Sequence, residues 1–419
     1  MAIQAKNSHD VAWVLEQIER IAQFGQGRSG ITRLAFSKAD HEARNYIIEL
    51  MQAEDLTVHI DAVGNIIGRF EPEGIQADAP AVITGSHLDT VPSGGKYDGA
   101  LGVVCGLAAV SRLKERSGLE YPLEVVVFAA EESSRFNFAT IGSKAMAGLA
   151  NVSAWMRAQD QDGISFSSEL AAIGRPIENV GSAARPKNSI RGFLELHIEQ
   201  GRVLEQEKIS IGIVDKIAAP TRLKITVVGT AGHSGAVPIE ERQDALVSAS
   251  MIVLAVRDIA TEYTYQSAVA TVTILKTYPG AINVIPGQVE MWVDIRGTDH
   301  ESVIGMIQEI KDAISTIADD NDTPVSIEVL FSDKPVKLDE TIIETVESAC
   351  QQLKIPSLRL DSLAGHDTMN MAHIAPAGLI FIPCKQGVSH NGNEYAAPDD
   401  IAAGLDVLTE ALYQLAKCK

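Results

Sequence analysis

Short apolar segments without polar interruption alternate with helical patterns through the first half of the chain. The segments AVITGS and LEVVVFAA are separated by GALGVVCGLAAVSRLKER, which has the length and composition of a helix. A strand that is apolar on both faces has to be covered on both faces, and this is typical of a parallel sheet flanked by helices. The sequence therefore predicts an α/β domain that is built on a mostly parallel sheet.

A different pattern occupies residues 216–331. The strand-like segment TRLKITVVGT is followed by a long helical pattern, two strands, a second helical pattern and a last strand, TPVSIEVLF. This β-α-β-β-α-β order is that of the ferredoxin-like split unit. After residue 332 the earlier alternation returns and ends in a helical pattern over 398–416. We therefore predict one domain formed by 1–215 and 332–419, with a ferredoxin-like domain over 216–331 inserted into it.

The charge balance argues against two classes of partner. The chain has 55 acidic residues against 35 lysines and arginines, a formal net charge of −20, which disfavours nucleic acids and anionic membrane surfaces. It contains no signal-like apolar core near its start and no apolar run long enough to cross a bilayer. We therefore expect a cytoplasmic protein that acts on a small molecule. The cysteines lack paired metal-site spacing and suit a reducing compartment; they are Cys105, Cys350, Cys384 and Cys418.

Two short segments come close to known motifs but lack the context that those motifs need. GQGRSG has the glycine spacing of a dinucleotide-binding loop, yet it follows a predicted helix over about 9–24 instead of a strand. AGHSGA is one residue short of the nucleophile elbow G-x-S-x-G of serine hydrolases. We therefore predict a flexible loop at GQGRSG, and a serine hydrolase is the weaker alternative for the activity.

Ionisable residues follow four of the predicted strands of the first domain. In open α/β sheets, active sites lie beyond the carboxyl ends of the parallel strands, so residues at these positions are brought together. The loop GSHLDTVPSGGKYDG supplies two of them, one on each side of a glycine-rich turn. The sequence therefore predicts one polar cluster, and its members are His87, Asp98, Glu131, Glu132, His197 and His390.

The composition of this cluster indicates a metal site. Imidazole and carboxylate groups without a thiolate are ligands for Zn²⁺ or Mn²⁺, and Co²⁺ or Ni²⁺ also accept them. Two ions can share one ligand group, and Asp98 is placed to bridge. Two ions roughly 3.5–4 Å apart can clamp and ionise a water molecule. We therefore expect two divalent ions per chain, and we expect the carboxylate of Asp89 to accept the second ring N–H of His87.

A set of short motifs extends over nearly the whole chain, namely AAEESSRF, GSKAMAG, ELHIEQGRVLE, AGHSGAVP, INVIPG, DIRG, AGHDTMNMA, GVSHN and, most specifically, HIEQGRVLE and the spacing GSHLDT…YDG. In these motifs the chain resembles the amidase/hydantoinase/carbamoylase branch of the di-metal aminoacylase and carboxypeptidase superfamily. The resemblance implies a di-metal catalytic domain and an inserted domain for dimerisation and closure. It also implies that His87 and His197 hold one metal ion and that Glu132 and His390 hold the other, with Asp98 bridging.

The resemblance implies roles for further residues. Glu131 matches the general base, which takes a proton from the bridging water and passes it to the leaving nitrogen. His233 matches a residue of the inserted domain that contacts the substrate and the developing oxyanion. Arg296 would grip a free substrate carboxylate with two parallel hydrogen bonds. The other matches are Gln200 and Asn283 at substrate-binding positions and His366 and Asp367 at supporting positions.

Members of this branch include N-carbamoyl-L-amino-acid hydrolases, β-ureidopropionases and allantoate amidohydrolases. The resemblance therefore implies a homodimeric enzyme that cleaves the carbamoyl amide of N-carbamoyl-L-amino acids. Allantoate is the alternative substrate, followed by dipeptides or N-acyl amino acids. The segments GHSGAVPIEERQDA, EESSRF and SHNGNEY depart from the usual pattern beside the proposed ligands, and these departures bear on the substrate more than on the chemistry. A metal-free binding protein on the same scaffold is an alternative of a different class.

Overall fold

The computed structural model describes residues 9–76, 78–263 and 268–417. Contacts divide the chain into two compact units. The first is drawn from Met1–Asp215, Leu338–Leu360 and His366–Lys419, and the second from Lys216–Lys337 and Asp361–Gly365. The segment 216–331, which the sequence analysis assigned to an inserted domain, lies within the second unit.

Fifteen strands are present in the described residues. In chain order they are β1 (Thr57–Ile60), β2 (Ile66–Phe70), β3 (Ala81–His87), β4 (Leu123–Phe128), β5 (Ile190–Ile198), β6 (Ile211–Ile217), β7 (Ala219–Val228), β8 (Gly232–His233), β9 (Ala268–Tyr278), β10 (Val284–Ile285), β11 (Gln288–Gly297), β12 (Val325–Ser332), β13 (Val336–Lys337), β14 (Ser357–Ser362) and β15 (Ala377–Ile382).

Twelve α-helices accompany them in the same described ranges. They are α1 (Val11–Ala22), α2 (Lys38–Ala53), α3 (Ala100–Lys114), α4 (Ile141–Met146), α5 (Val152–Trp155), α6 (Phe166–Ala172), α7 (Val203–Glu207), α8 (Ala245–Tyr263), α9 (His300–Asp320), α10 (Glu340–Leu353), α11 (Asp367–Met371) and α12 (Pro398–Ala416). Short 3₁₀ turns lie at Ile177–Ala183, Lys187–Ser189, Ile239–Glu241 and Lys385–Gly387. Among the described helices, none is both long enough and apolar enough to cross a bilayer.

The sheet of the first unit has a parallel centre. Its strand order is β1-β2-β4-β3-β5-β15-β6, and β14 also pairs with β6. The four central strands β4, β3, β5 and β15 are parallel to one another, whereas β1 and β2 on one side and β6 on the other pair antiparallel. The prediction of an α/β fold with a mostly parallel sheet is confirmed for the central strands. It missed β6 and β14.

Alternate strand residues pack on opposite faces of this sheet, and helices cover both. On one face α3 lies so close that a Cβ added at Gly102 would be 2.3 Å from the carbonyl oxygen of Leu196. On the other face α4 and α11 contribute to a cluster of apolar side chains that includes Ile83, Val126, Phe128, Phe193, Met146 and Met371. Burial on both sides explains why the central strands have no polar alternation.

Local signals in the sequence set several helix boundaries. The side chain of Asp10 accepts the N–H of Trp13 at the start of α1, and Asp339 accepts that of Thr341 at the start of α10. Such caps satisfy N–H groups that lack partners within the helix. Pro398 occupies the first turn of α12, where its missing N–H costs nothing. The predicted bounds of this last helix, 398–416, are those of the structure.

The second unit contains a four-stranded antiparallel sheet in the order β12-β7-β11-β9. The helices α8 and α9 pack on one face of it and form an apolar core with residues such as Leu223, Ile252, Met291 and Ile310. This arrangement is the predicted ferredoxin-like split unit. The other face of the sheet carries polar and aromatic side chains at alternate positions, which include Arg222, Lys224, Trp292, Asp294 and Arg296.

The segment GQGRSG is a loop, as predicted, but backbone contacts hold it in place. Ile31 donates a hydrogen bond of 2.9 Å to the carbonyl of Gly94, and Gly94 donates one of 2.8 Å back to Ile31. A Cβ added at Gly30, where φ is +144°, would lie 2.5 Å from the carbonyl oxygen of Ser93. These contacts tie the segment to the chain that leads to Asp98.

Candidate metal centre

Four strand ends of the first unit bring the predicted ligands together. His87 is the last residue of β3, and His197 lies near the end of the neighbouring parallel strand β5. Glu131 and Glu132 follow β4, and His390 lies in the loop after β15. Since these four strands are adjacent and parallel, their carboxyl ends meet at one edge of the sheet.

The side chains form two groups that share one carboxylate. In the first group, the ligand atoms of His87, Asp98 and His197 all lie within 4.8 Å of one another, and the same holds for Asp98, Glu132 and His390 in the second. Oδ1 of Asp98 is 3.5 Å from Nε2 of His87 and 3.2 Å from Nε2 of His197. Oδ2 is 3.4 Å from Nε2 of His390, which is also 3.4 Å from Oε1 of Glu132. The two oxygens of Asp98 therefore face different groups.

Backbone carbonyls orient the two buried imidazoles. Nδ1 of His87 lies 2.9 Å from the carbonyl oxygen of Asp89, and Nδ1 of His197 lies 2.9 Å from that of Ile198. A carbonyl only accepts hydrogen bonds, so each Nδ1 carries a proton, and each Nε2 faces Asp98. His366 stacks edge-on against the ring of His197, with centroids 4.6 Å apart, and this contact helps to hold that ring.

The carboxylate of Asp89 has a different partner from the one expected. It lies 3.9 Å from Nδ1 of His87, too far for a hydrogen bond. Instead it accepts the backbone N–H groups of Glu131 at 3.2 Å and Glu132 at 3.0 Å. The expected contact with the imidazole is made by the backbone of Asp89, and its side chain fixes the turn that carries the two glutamates.

Three non-glycine residues near the strand ends adopt left-handed backbone conformations. They are Ala130 with φ of 52°, Gln200 with φ of 57° and His390 with φ of 54°. Such conformations cost about 1–3 kcal/mol each and persist where the surroundings enforce them. Ala130 immediately precedes the two glutamates, so the bonds from their N–H groups to Asp89 help to enforce this turn.

Burial and mutual repulsion disfavour the ionised forms of the acidic side chains. Burial and the nearby charge of Asp98 raise the pKa of Glu132 to about 8. Burial likewise raises the pKa of Glu131 well above its ordinary value; the charge of His87 opposes this shift, and the charge of Glu132 adds to it. Asp98 is the exception: despite burial, its hydrogen bonds with His197 and His87 hold its pKa well below the ordinary value.

This charge distribution provides a test of whether the residues fit divalent cations. The cluster concentrates more carboxylates than its imidazoles can compensate, and a 2+ ion in each group would supply the missing positive charge. Imidazole nitrogens and carboxylate oxygens are also the donor types that Zn²⁺ and Mn²⁺ accept. The donor set and the charge both fit two divalent cations.

Gln200, expected at a substrate-binding position, lies against the cluster itself. Its Nε2 donates to Oδ2 of Asp98 at 2.8 Å and lies 3.3 Å from the hydroxyl of Ser389. Its amide oxygen is buried and has no hydrogen-bond partner among the described residues. An unpaired buried acceptor is costly, so this oxygen is suited to receive an N–H group of a bound ligand.

Asp367 is fully buried beneath the cluster. It accepts a hydrogen bond from the hydroxyl of Ser143 through one oxygen, and its other oxygen has no partner within the part of the chain that the structure describes. Burial and the charge of Glu195 raise the pKa of Asp367 to about 8. Glu195 itself is bound by the hydroxyls of Ser86 and Thr368 at 2.6 Å each. These contacts join the strand that carries His87 to the segment that carries His366.

The other predicted residues lie in the second unit, at two separate places. His233 belongs to the short ribbon β8–β10, where it pairs with Val284, next to Asn283. This ribbon follows the end of β7 that pairs with Gln288, the first residue of β11. Arg296 lies near the opposite end of β11, about 27 Å away along the strand. Its Nε donates to Oδ2 of Asp294 at 2.8 Å, and its Nη1 lies 3.5 Å from the carbonyl oxygen of Leu363.

The sequence analysis missed Ser389 and Glu394, which contact the loop of Asp98. The hydroxyl of Ser389 lies 2.9 Å from Oδ2 of Asp98, and Glu394 accepts the N–H of Asp98 at 3.1 Å. The only sequence signal was their position beside His390 in the segment SHNGNEY. Glu199, which follows β5, has other partners. It accepts the N–H groups of Val203 and Leu204 and thereby caps α7.

Comparisons with known proteins extend over both units. A family model described as peptidase family M20/M25/M40 matches residues 83–414. An N-carbamoyl-L-amino acid amidohydrolase of Geobacillus stearothermophilus is 37% identical over 404 residues, covering 95% of this chain and 98% of that protein. A ureidoglycolate hydrolase of Arabidopsis thaliana is 37% identical over 417 residues, covering 97% and 87%. The crystal structure of AtUAH in complex with (S)-hydroxyglycine matches with a TM-score of 0.87 at 35% identity, covering 97% and 98%.

Proposed function

Because the chain belongs to peptidase family M20/M25/M40 and is a metal-dependent amidohydrolase, we propose that it hydrolyses N-carbamoyl-L-amino acids to the amino acid, ammonia and carbon dioxide. The observation that carries the proposal is the pair of ligand groups that share Asp98 beside Glu131. Similarity over 95% of the chain to a protein named N-carbamoyl-L-amino acid amidohydrolase supports the substrate class. Ureidoglycolate and allantoate are the second candidates, because other similar proteins are named ureidoglycolate hydrolase and allantoate deiminase.

In this proposal each ligand group holds one divalent cation. His87 and His197 would hold the first, Glu132 and His390 the second, and Asp98 would contribute one oxygen to each. When bound, the two cations would polarise the scissile carbonyl and lower the pKa of the attacking water. The carbonyl contacts of the two buried imidazoles keep their Nε2 lone pairs directed at these positions.

Glu131 moves the proton in this reaction. Its carboxylate lies 3.9 Å from Nε2 of His87, and its backbone N–H is fixed by Asp89. From this position it takes a proton from the attacking water and delivers it to the leaving nitrogen, which departs as ammonia. Neither role requires Glu131 to bind a cation, and this separates it from its neighbour Glu132.

The residues expected to bind the substrate come from two copies of the chain. His233 and Asn283 lie at one end of β11 and Arg296 near the other, about 27 Å away along the strand. A small substrate cannot reach both ends within one copy. We therefore propose a homodimer in which one chain provides the metal-binding residues and its partner provides His233 and Asn283.

Exposed apolar surface on the second unit supports this association. Three residues on one face of α8 are exposed, namely Val247, Met251 and Leu254. Ile274 and Leu275 are also exposed on β9, which is an edge strand of the sheet. Apolar side chains concentrated on a helix face and a sheet edge are typical of surfaces that pair with another chain.

A substrate panel tests the proposed reaction. Purified protein loaded with Zn²⁺ or Mn²⁺ is expected to show its highest kcat/KM with an N-carbamoyl-L-amino acid, compared with allantoate, ureidoglycolate, a dipeptide and an N-acetyl amino acid. Chelation is expected to abolish the activity. A preference for allantoate or ureidoglycolate would replace the proposed substrate by the second candidates, and full activity after chelation would contradict the metal-dependent reaction.

Glu131→Gln separates proton transfer from metal binding. The amide keeps the shape of the side chain but cannot accept the proton, so the rate is expected to fall by roughly 10²–10⁴ with both cations retained. Glu132→Gln is the matched control, and it is expected to lose the second cation. The measurements are kcat and elemental analysis on the same preparations. If Glu132→Gln kept both cations and lost only turnover, the roles of the two neighbours would be reversed.

Arg296→Lys tests recognition of the substrate carboxylate. Lysine keeps the charge but loses the two-pronged geometry, so KM is expected to rise about 10-fold or more with metal content unchanged. Arg222→Lys is the control, because Arg222 lies on the same face of the sheet and also pairs with Asp294, at 3.2 Å. An unchanged KM in Arg296→Lys would remove this residue from the substrate site.

Complementation between inactive variants tests whether two chains build one site. Mixing Glu131→Gln with His233→Ala gives mixed dimers in which one site has an intact base from one chain and an intact His233 from the other. After subunit exchange, activity is expected to return to about a quarter of the wild-type value, since about half of the dimers are mixed. If each chain used its own His233, mixing would restore no activity.

A further inference from the structure

Glu394 is a buried carboxylate that the proposed chemistry does not use. It is 4% exposed and lies four residues after His390. Its Oε1 accepts the backbone N–H groups of Tyr97 at 2.8 Å and Asp98 at 3.1 Å. Its Oε2 lies 3.0 Å from the hydroxyl of Ser389. One carboxylate thus joins the loop that carries Asp98 to the loop that carries His390.

The loop before Asp98 is shaped to admit this carboxylate. A Cβ added at Gly95 would lie 2.2 Å from Oε1 of Glu394. This distance is far shorter than any contact between non-bonded atoms. The glycine is therefore required by the close approach of Glu394. This contact accounts for the second glycine of the segment SGGKYDG, which no ligand role explains.

Ser389 extends the connection to the oxygen of Asp98 that faces His390. Its hydroxyl is 3.0 Å from Glu394 and 2.9 Å from Oδ2 of Asp98. The same Oδ2 lies 3.4 Å from Nε2 of His390. Glu394 therefore acts on both the backbone and the side chain of Asp98, on the side of the second ligand group.

The two ligand groups differ in what holds their histidines. His87 and His197 lie on adjacent strands, and their side chains are 4% and 1% exposed. His390 lies in a loop with a left-handed backbone, and its side chain is 53% exposed. Strand pairing fixes the spacing of the first group, whereas the second group depends on how its two loops are joined.

We infer that Glu394 is a positioning residue that joins the loops of Asp98 and His390 and thereby sets the affinity for the second cation. The inference rests on the proposed two-metal site. Removing a group that orients metal ligands typically weakens binding about 10–100-fold. The weakening is expected at the group formed by Asp98, Glu132 and His390, with the group on the strands little affected.

Metal titration of the full-length chain tests the inference. Metal-free protein is titrated with Mn²⁺ and, separately, with Co²⁺ followed by its visible spectrum. Wild type is expected to bind two ions per chain. In Glu394→Ala the second step is expected to weaken about 10–100-fold, while the first stays within about 3-fold. Turnover at saturating substrate is expected to recover as the metal concentration is raised, because the defect lies in occupancy.

Three further variants separate positioning from general destabilisation. Glu394→Gln keeps an oxygen for the N–H groups of Tyr97 and Asp98 and gains an amide that can donate to Ser389, so it is expected to bind both ions almost as wild type does. Gly95→Ala displaces the carboxylate and is expected to reproduce the loss seen in Glu394→Ala. Asn393→Ala, at an exposed neighbouring residue, is expected to have no effect on either step. Gly95→Ala and Glu394→Gln still test the inference if Glu394→Ala fails to fold.

The measurements distinguish a failure of the inference about Glu394 from a failure of the proposed two-metal site. Unchanged binding in Glu394→Ala, or equal weakening of both steps, would overturn the role of Glu394 and leave the two-metal site intact. Loss of the second binding step in Glu394→Gln would also overturn the role of Glu394, since this variant keeps the hydrogen bonds to which the inference attributes the affinity. A wild-type chain that binds fewer than two ions would instead overturn the two-metal site on which the inference rests.

Discussion

The carboxylate of Asp98 is the centre on which the candidate site depends. Of the described residues, it alone belongs to both ligand groups, and its two oxygens face them separately. Its surroundings leave little freedom. Gly99 has a φ of 68°, and a Cβ there would lie 2.5 Å from the ring of His87, so the chain turns into α3 directly against the imidazole. The hydrogen bonds of Gln200, Ser389 and Glu394 hold the other side. A carboxylate constrained in this way presents its two oxygens to the two ligand groups in a fixed geometry.

The parallel centre of the sheet could be predicted from the sequence, because strands that are buried on both faces have unbroken apolar runs. The same logic placed His87, Glu132 and His197 at one edge, since parallel strands end together. Antiparallel additions were harder to detect. The strand β14 carries no comparable apolar run, the run of β6 is interrupted by Asp215 and Lys216, and the pairing of both strands depends on register. The order of elements did identify the ferredoxin-like unit, because each of its strands and helices is long enough to show its own periodicity.

The contacts that loops make could not be predicted from the sequence. The position of Asp89 two residues after His87 suggested a contact between their side chains, but in the structure the backbone carbonyl of Asp89 makes it and the side chain binds the turn after β4. Glu394 gave no signal because its partners, Tyr97 and Asp98, lie almost 300 residues earlier. Likewise, Asn283 and Arg296 are close in sequence, and only the register of β11 shows that they are far apart. In each case the decisive contact is set by tertiary packing.

These features separate two requirements that a small-molecule amidohydrolase has to meet. The negatively charged groups that hold cations need a rigid surrounding, because buried carboxylates repel one another unless their spacing is fixed, and the parallel sheet provides it. A second requirement is that side chains contact the substrate, and the proposed homodimer places two of these, His233 and Asn283, on a different chain from the metal ligands. A complete site then exists only in the associated state, so its population depends on chain concentration by mass action. In the separated chain the apolar face of α8 is exposed to solvent. Burying this face in the dimer favours association.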